Sequence, residues 1–423
     1  MKTKYSFFEF LEKCKTPYHT VNAVKELLIE NGFTEISEGD AKSYADGGKH
    51  FVTRAGSIIA FCGSVDKGGF AVVASHSDTP AFKVRGVNRA AGYNRLSVEP
   101  YGGMINYSWL DRPLSLAGRA VIDEGSALSV RTFDIDRDLV TIPSVAIHFN
   151  WSVNDGIKLN HAVDMLPLLG VADDSEFNSL IADSLSVPQE KIVDADVYLY
   201  NRSRPTSLGK DGELVLSPRL DNIASVYAST VAFISAKREG ASVLAVFDNE
   251  EVGSSTRQGA ASDFLYDTLR LVAEDRAKYK RAVYDGFAIS CDNAHARHPN
   301  HPELSDSQDA PVLGAGVAIK YNARQKYTTD GVSGAVFRTL ATRAGEKIQK
   351  YSNRADMPGG STLGSISNTK VPILTVDVGV PQLAMHSATE LCHMADVDSL
   401  ANILAEFYSV NISAGSDKIT IEK

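Results

Sequence analysis

Across residues 5–31, YSFFEFLEKCKTPYHTVNAVKELLIEN, the apolar positions Val21, Val24, Leu27 and Leu28 recur at steps of three and four. That spacing lines one face of a helix. It predicts a helix capped by Thr20 or Asn22 and stopped by Gly32. SIIAFCG and GFAVVASHSDTP follow as short apolar runs punctuated by glycine, which predicts buried strands. From about 84 to 205 the texture changes. YGGMINYSWLDRPLSLAGRAVI, SALSVRTFDI and VTIPSVAIHFN are strand-like with turn residues between them, and GVADDSEFNSLIADSLSVPQEK carries one short helical piece. From about 214 strands and helices alternate. SVLAVFD, GFAISCD and VPILTVDVG are hydrophobic throughout, as parallel strands covered on both faces are. DNIASVYASTVAFISAKREG, ASDFLYDTLRLVAEDRAKYKRAV, DGVSGAVFRTLATRAGE and VDSLANILAEFYSVNI read as the covering helices. The expectation is an α/β fold, a mixed and mostly parallel sheet flanked by helices. Residues 1–83 and 206–423 form it, and a β-rich insertion at 84–205 interrupts it.

At 423 residues the chain exceeds one ordinary core, in keeping with that division. The net charge of −9, from 43 basic and 52 acidic residues, lacks the basic footprint of a nucleic-acid partner. A peptide or small-molecule substrate stays open, because a basic pocket can sit inside an acidic protein. Cys14, Cys62, Cys291 and Cys392 are far apart and form no CxxC, which fits a reducing cytosol and neither a disulfide framework nor a thiolate zinc finger. The first residues, MKTKYSFFEFLEKCKT, mix acids and lysines where a signal peptide is apolar. No run approaches the roughly 18 apolar residues of a membrane span. A cytoplasmic protein with no membrane partner is expected.

The chemistry gathers where strands are expected to end. AVVASHSDTP ends in His76 and Asp78, LAVFDNEEVGS in Glu250 and Glu251, and FAISCDNAH in Asp292. His386 follows ILTVDVGVPQLA, and Asp221 opens a helix in SPRLDNIAS. Ligands of open α/β sheets bind outside the carboxyl ends of the strands. Singly, each has an ordinary explanation: a hydrogen-bonded His-x-Asp loop, two glutamates at a helix start, an N-cap, a turn cap. Jointly they bring two imidazoles and several carboxylates to one edge. That donor set suits Zn²⁺, and also Mn²⁺ or Co²⁺. A pair of metals needs a carboxylate to bridge them and another, off the metals, to accept a proton from water.

SHSDTP, SPRLDN, DNEEVGS, SCDNAHARHPN, KYNARQKY, MPGGSTLG and VGVPQLAMHSATE occur in the order and approximate spacing of one family. The chain resembles the aspartyl aminopeptidase family of di-zinc exopeptidases over nearly its whole length. The resemblance implies two zinc ions per subunit, with His76 and Asp292 on one, Glu251 and His386 on the other, and Asp221 bridging. It implies Glu250 as general base and then acid, and Asp78 as the orienter of His76. The implied activity is removal of the N-terminal residue, Asp or Glu in the family, from peptides. The insertion would drive dimerisation, with dimers assembling into a dodecamer.

Other candidates are weaker. His295, His298 and His301 in HARHPNHPE tempt a metal reading, but Pro299 and Pro302 forbid a helix there. His148 in VAIHFNWSVND is a buried strand histidine on the plain reading. By resemblance it reaches a neighbouring subunit's active site and aids the transition state. Gly359 and Gly360 in MPGGSTLG lack the Lys-Ser/Thr of a phosphate loop and read as backbone close to a ligand. Arg324 and Lys326 are ordinary solvated charges or, in that family, partners for an acidic substrate side chain. Two other functions compete: a di-zinc deacylase of N-acyl amino acids, and a non-catalytic peptide-binding or assembly protein. The spare base Glu250 argues against the second, since binding alone needs none.

Overall fold

The computed structural model describes residues 3–171, 177–357, 359–360, 362–414 and 418–423. The N-terminal segment forms two helices, Phe7–Lys13 and Pro17–Glu30, rather than one. Pro17 is the reason: its ring fixes φ and it has no N–H, which a helix tolerates in its first turn and not in its interior. Thr20 and Asn22 therefore lie inside the second helix, and Thr16 occupies its N-cap position. Ser6 and Glu9 close a capping box on the first. The expected helix over ASDFLYDTLRLVAEDRAKYKRAV likewise divides, into Phe264–Val272 and Arg276–Tyr284. Asp275 caps the second of these by accepting from the main-chain nitrogens of Ala277 and Lys278.

Among the described residues nine strands form the main sheet. Their order is Thr34–Glu35, His50–Arg54, Ser57–Cys62, Ser242–Phe247, Ala71–His76, Phe287–Cys291, Leu374–Gly379, Val317–Tyr321 and Ile348–Ser352. The neighbouring strands Ser242–Phe247, Ala71–His76, Phe287–Cys291 and Leu374–Gly379 are parallel throughout. Side chains alternate across a strand, so each of these feeds two cores. Leu244, Val246, Val73 and Ile289 face helices Pro17–Glu30, Leu220–Ile234 and Met394–Phe407. Val243, Ala245, Phe247 and Val72 face helices Phe264–Val272 and Arg276–Tyr284. Continuous apolarity in the sequence is the consequence of this double burial. The four strands run the same way, so their carboxyl ends share one edge of the sheet.

A second, antiparallel sheet orders Leu128–Asp134, Leu114–Asp123, Ile192–Asn201, Ala81–Ala90, Tyr93–Tyr101 and Leu168–Gly170. It has its own core around Phe82, Leu96, Trp109, Leu116, Phe133 and Leu199, to which helix Phe177–Leu185 adds Ile181. VTIPSVAIHFN does not form the expected strand. It makes isolated bridges at Val140 and Ile142, and then a short turn at Ile147–Phe149. Pro143 has no N–H to extend a ladder. Val145, Ile147, Phe149 and Trp151 are exposed there. The second N-terminal helix grips this sheet: Lys15 just before it pairs with Asp134, the Tyr18 hydroxyl donates to Asp196 at 3.1 Å, and Asn22 donates to Thr132 at 3.2 Å.

A small third sheet joins Thr206–Leu208, Leu214–Ser217, Glu390–His393, Pro381–Leu383 and Ala294–His295. Its pairing of Ser217 with Glu390 carries the segment after His386 to the start of helix Leu220–Ile234. Among the described residues no helix is long and apolar enough to cross a membrane.

Candidate metal centre

The parallel strands deliver their polar ends together. His76 is the last residue of its strand, and Asp292 follows directly on Cys291. Glu250 and Glu251 lie in a short turn after Ser242–Phe247, entered through Asn249 at φ 65°. Asp221 has the extended angles φ −83° and ψ 109° inside the start of its helix and does not cap it. Its expected partners in that ordinary reading, the first helical N–H groups, are replaced by imidazoles.

His76 Nε2 lies 3.5 Å from Asp221 Oδ1 and 3.4 Å from Asp292 Oδ1. His386 Nε2 lies 3.4 Å from Asp221 Oδ2 and 3.5 Å from Glu251 Oε1. Two ligand triads result, His76–Asp221–Asp292 and Asp221–Glu251–His386, sharing the two oxygens of Asp221. A third grouping, His76–Glu250–Glu251, overlaps them. Five of the seven residues expected at the strand ends are thus in mutual reach as ligands, with Glu250 beside them. His76 is 1 % exposed by side chain and Asp221 4 %, whereas His386 is 31 % exposed, so the centre opens on the His386 side.

The seventh, Asp78, is adjacent but acts differently from the simple expectation. The His76 Nδ1 donates to the main-chain oxygen of Asp78 at 3.0 Å, while the Asp78 carboxylate is farther, at 3.5 Å. A carbonyl only accepts, so Nδ1 carries a proton, and Nε2 is the nitrogen that faces the triad. The Asp78 carboxylate instead accepts from the Tyr101 hydroxyl at 2.8 Å and from the main-chain nitrogens of Glu250 and Glu251 at 3.2 Å each. It holds the glutamate turn as well as the histidine.

The electrostatics call for a cation. Burial drives the Glu250 carboxyl up to about 7, with the charges of Asp292, Asp78 and Asp221 adding to it and His76 opposing. Burial also pushes Glu251 well up. Burial would lower the His386 imidazole, but Asp221 and Glu251 overcome it and hold it up at about 10. Asp221 and Asp292 raise His76 in the same way against its burial. Crowded, buried carboxylates thus favour positive charge at this place. The buried Asp221 Oδ1 and Glu251 Oε1 accept no hydrogen bond at all, a costly state for buried oxygens. Nitrogen and oxygen donors, two triads with a shared carboxylate and unpartnered buried oxygens fit zinc.

Two residues were not singled out in the sequence. Glu390 accepts from the main-chain nitrogens of Asp221 and His386. Lys320 donates to Asp292 Oδ2 and to the main-chain oxygens of Asp292 and Asn293, at 2.9–3.0 Å. Both lie inside quoted motifs, but only three-dimensional pairing distinguishes them from surface charges.

Other expected residues stand apart. His148 is exposed in the Ile147–Phe149 turn, its ring 5.6 Å from that of Trp151, and is not the buried strand histidine of the plain reading. Arg324 and Lys326 are exposed on the connection before helix Gly331–Ala344. A Cβ on Gly359 would lie 2.6 Å from the side-chain Oδ1 of Asn353, which would have to shift, while Gly360 faces open space. His301 Nδ1 lies 3.1 Å from Glu303, and the His298–His301 stretch contributes to none of the triads.

A family model described as aminopeptidase I zinc metalloprotease (M18) matches residues 10–408. A "Probable M18 family aminopeptidase 2" of Clostridium acetobutylicum is 41 % identical over 433 residues, covering 97 % of this chain and 100 % of the relative. "Aspartyl aminopeptidase 4" of Saccharomyces cerevisiae is 35 % identical over 467 residues, covering 97 % and 95 %. Among solved structures, the Ape4 and Nbr1 complex superposes with TM-score 0.91 at 32 % identity over 95 % of this chain and 84 % of that one. The S. cerevisiae mApe1 dodecamer superposes with TM-score 0.82 at 25 % identity, covering 95 % of each chain.

Proposed function

The chain belongs to the aminopeptidase I zinc metalloprotease (M18) family and is a metallo-aminopeptidase, and from that premise we propose how its residues divide the work. The observation that carries the reading is the sharing of Asp221 between two triads with Glu250 left beside them. His76 and Asp292 would hold one zinc and Glu251 and His386 the other, with Asp221 shared between them. Zinc bound there supplies Lewis acidity, making water a nucleophile at neutral pH and polarising the scissile carbonyl.

Glu250 is the general base. A carboxyl pushed up to about 7 is matched to proton transfer near neutral pH. It takes the proton of the attacking water and returns it to the amine nitrogen as the C–N bond breaks. Asp78 keeps Nδ1 of His76 protonated through its main-chain oxygen and fixes the turn that carries Glu250 and Glu251. Lys320 and Glu390 hold Asp292, Asp221 and His386 in place. The open side at His386 admits the N-terminal residue.

The substrate is a peptide, and the preferred N-terminal residue is Asp or Glu. The name of the yeast relative supports that preference. The loops bearing Arg324, Lys326, Gly359 and Gly360 form the substrate wall. Native zinc can be replaced by Co²⁺ or Mn²⁺, which accept the same donors. The protein is cytoplasmic. Most of the second sheet belongs to an inserted unit, 84–205, that dimerises, and the dimers build a dodecamer like that of the yeast mApe1 structure. The exposed cluster Val145, Ile147, Phe149 and Trp151 supports such a contact, because contiguous exposed apolar side chains mark interfaces. His148 within it enters the neighbouring subunit's active site. The aminopeptidase names of the relatives do not favour the deacylase or binding-protein readings.

Anilides of Asp, Glu, Leu and Lys, assayed before and after chelation and zinc restoration, test the reading. The expected result is chelator-reversible cleavage led by Asp or Glu. Activity on N-acyl amino acids with none on free-amine substrates would overturn it.

A further inference from the structure

Asp377, on strand Leu374–Gly379, is fully buried, at 0 % exposure. Its Oδ2 accepts from both the main-chain nitrogen and the hydroxyl of Thr328, each at 2.6 Å. Its Oδ1 accepts from the Thr362 hydroxyl at 2.6 Å, and its own main-chain nitrogen donates to Thr329 Oγ1 at 2.8 Å. The three donors to the carboxylate are uncharged. A buried carboxylate of this kind depends on these bonds for its solvation, and hydrogen bonds to an ionised acceptor are strong.

What the bonds connect is specific. Thr328 follows Tyr327, whose ring centre is 5.0 Å from Lys320 Nζ, and Lys320 holds Asp292. Thr362 lies in MPGGSTLG, and two residues on the Gly364 nitrogen donates to Ser290 Oγ at 3.1 Å, on the strand that leads into Asp292. A Cβ on Gly364 would stand 2.7 Å from Asp377 Oδ1, so this glycine permits the close approach. One acid therefore ties segment 322–330 and residues 362–364 to the strand edge carrying the centre, and none of its hydrogen bonds goes to a ligand side chain.

We propose that Asp377 is a positioning residue for the substrate, fixing segment 322–330 and residues 362–364 relative to Asp292 so that both walls of the N-terminal residue's pocket are preformed. The inference rests on the reading that these loops line that pocket. Its energetic content is preorganisation: loops that need not be ordered on binding leave more of the interaction as affinity.

Thr362→Val keeps shape and removes one hydroxyl, Thr362→Ser restores it, and Asp377→Asn removes the charge. On the preferred anilide, Thr362→Val and Asp377→Asn are expected to raise KM about five- to tenfold with kcat within about twofold, as loss of uniform binding does. Thr362→Ser is expected to return KM to the wild-type value. Amide exchange at Gly364 should accelerate in the first two variants and not in the third, with zinc content unchanged in all. A wild-type KM in Thr362→Val overturns the proposal, as does a fall in kcat and thermal stability with KM unmoved. A wild-type protein with no aminopeptidase turnover removes the functional reading and this inference with it. Normal turnover with unmoved KM removes the inference alone.

Discussion

The Glu390 carboxylate accepts from the main-chain nitrogen of Asp221 at 2.9 Å and binds the His386 nitrogen at 2.6 Å with its other oxygen. One buried acid thus fixes the backbone of the shared carboxylate and of the most open imidazole. Burial and the Asp221 charge hold it up at about 8. Glu390→Gln keeps size but turns one acceptor oxygen into an NH₂ that faces an N–H donor. The expected outcome is a folded protein whose zinc affinity is about 10–100-fold weaker, as for other residues that orient metal ligands. Competition with a zinc chelator measures it; unchanged affinity would mean the backbone positions are fixed without Glu390.

The adjacent glutamates should separate experimentally. Glu250→Gln is expected to retain its zinc and lose about 10²–10⁴-fold in kcat, the usual contribution of a positioned base. Glu251→Ala should lose metal, because Glu251 Oε1 is a buried, unpartnered oxygen 3.5 Å from His386 Nε2. Elemental analysis beside kinetics reads both. Near wild-type turnover in Glu250→Gln rules out its role.

Much of this was legible in the sequence, for physical reasons that also explain the rest. Leu244 to Phe247 are apolar at every position because both faces of that strand are covered, which marks the parallel sheet and places Glu250 at its carboxyl edge. His76, Asp221, Asp292 and His386 are visible as chemistry that strand ends deliver. Long-range pairs are not visible. Lys320 looks like Lys326 in the letters KYNARQKY, yet one is buried on Asp292 and the other is exposed. Asp78 was read through its carboxylate, while a main-chain oxygen, which every residue carries, orients His76. VTIPSVAIHFN has strand composition, but Pro143 and the lack of a continuous ladder partner leave it as a loop.

Metal removal should destabilise the fold beyond the loss of activity. Without a cation the buried carboxylates of Asp221, Glu251 and Asp292 repel one another, and Asp221 raises both His76 and His386 above the usual imidazole range. Chelation is therefore expected to lower Tm and to leave it more sensitive to pH, with zinc restoring both. Linkage puts the stabilisation at about 2.7 kcal/mol for free zinc at about 100 Kd. Calorimetry with and without chelator decides it, and an unchanged Tm would indicate that the ligands are held without metal.

His19 gives a pH signature away from the centre. Its Nδ1 lies 2.8 Å from Thr16 Oγ1 in the helix that grips the second sheet. Burial lowers its imidazole to about 4; Asp134 opposes this, while Lys15 and Arg219 reinforce it. In the unfolded chain a histidine titrates near pH 6.5. Between these values the unfolded state binds the extra proton, so stability rises with pH. The contribution is fully present above about 6.5 and is lost as pH falls toward about 4. His19→Gln, which cannot titrate, removes the dependence. The wild-type stability advantage over His19→Gln should shrink between about pH 7.5 and about pH 5, by on the order of 1–2 kcal/mol. Because both proteins share the metal centre, its own titration cancels in the difference. A wild-type-minus-variant Tm difference that stays flat across that range would place His19 in contact with solvent, free to titrate alike in both states.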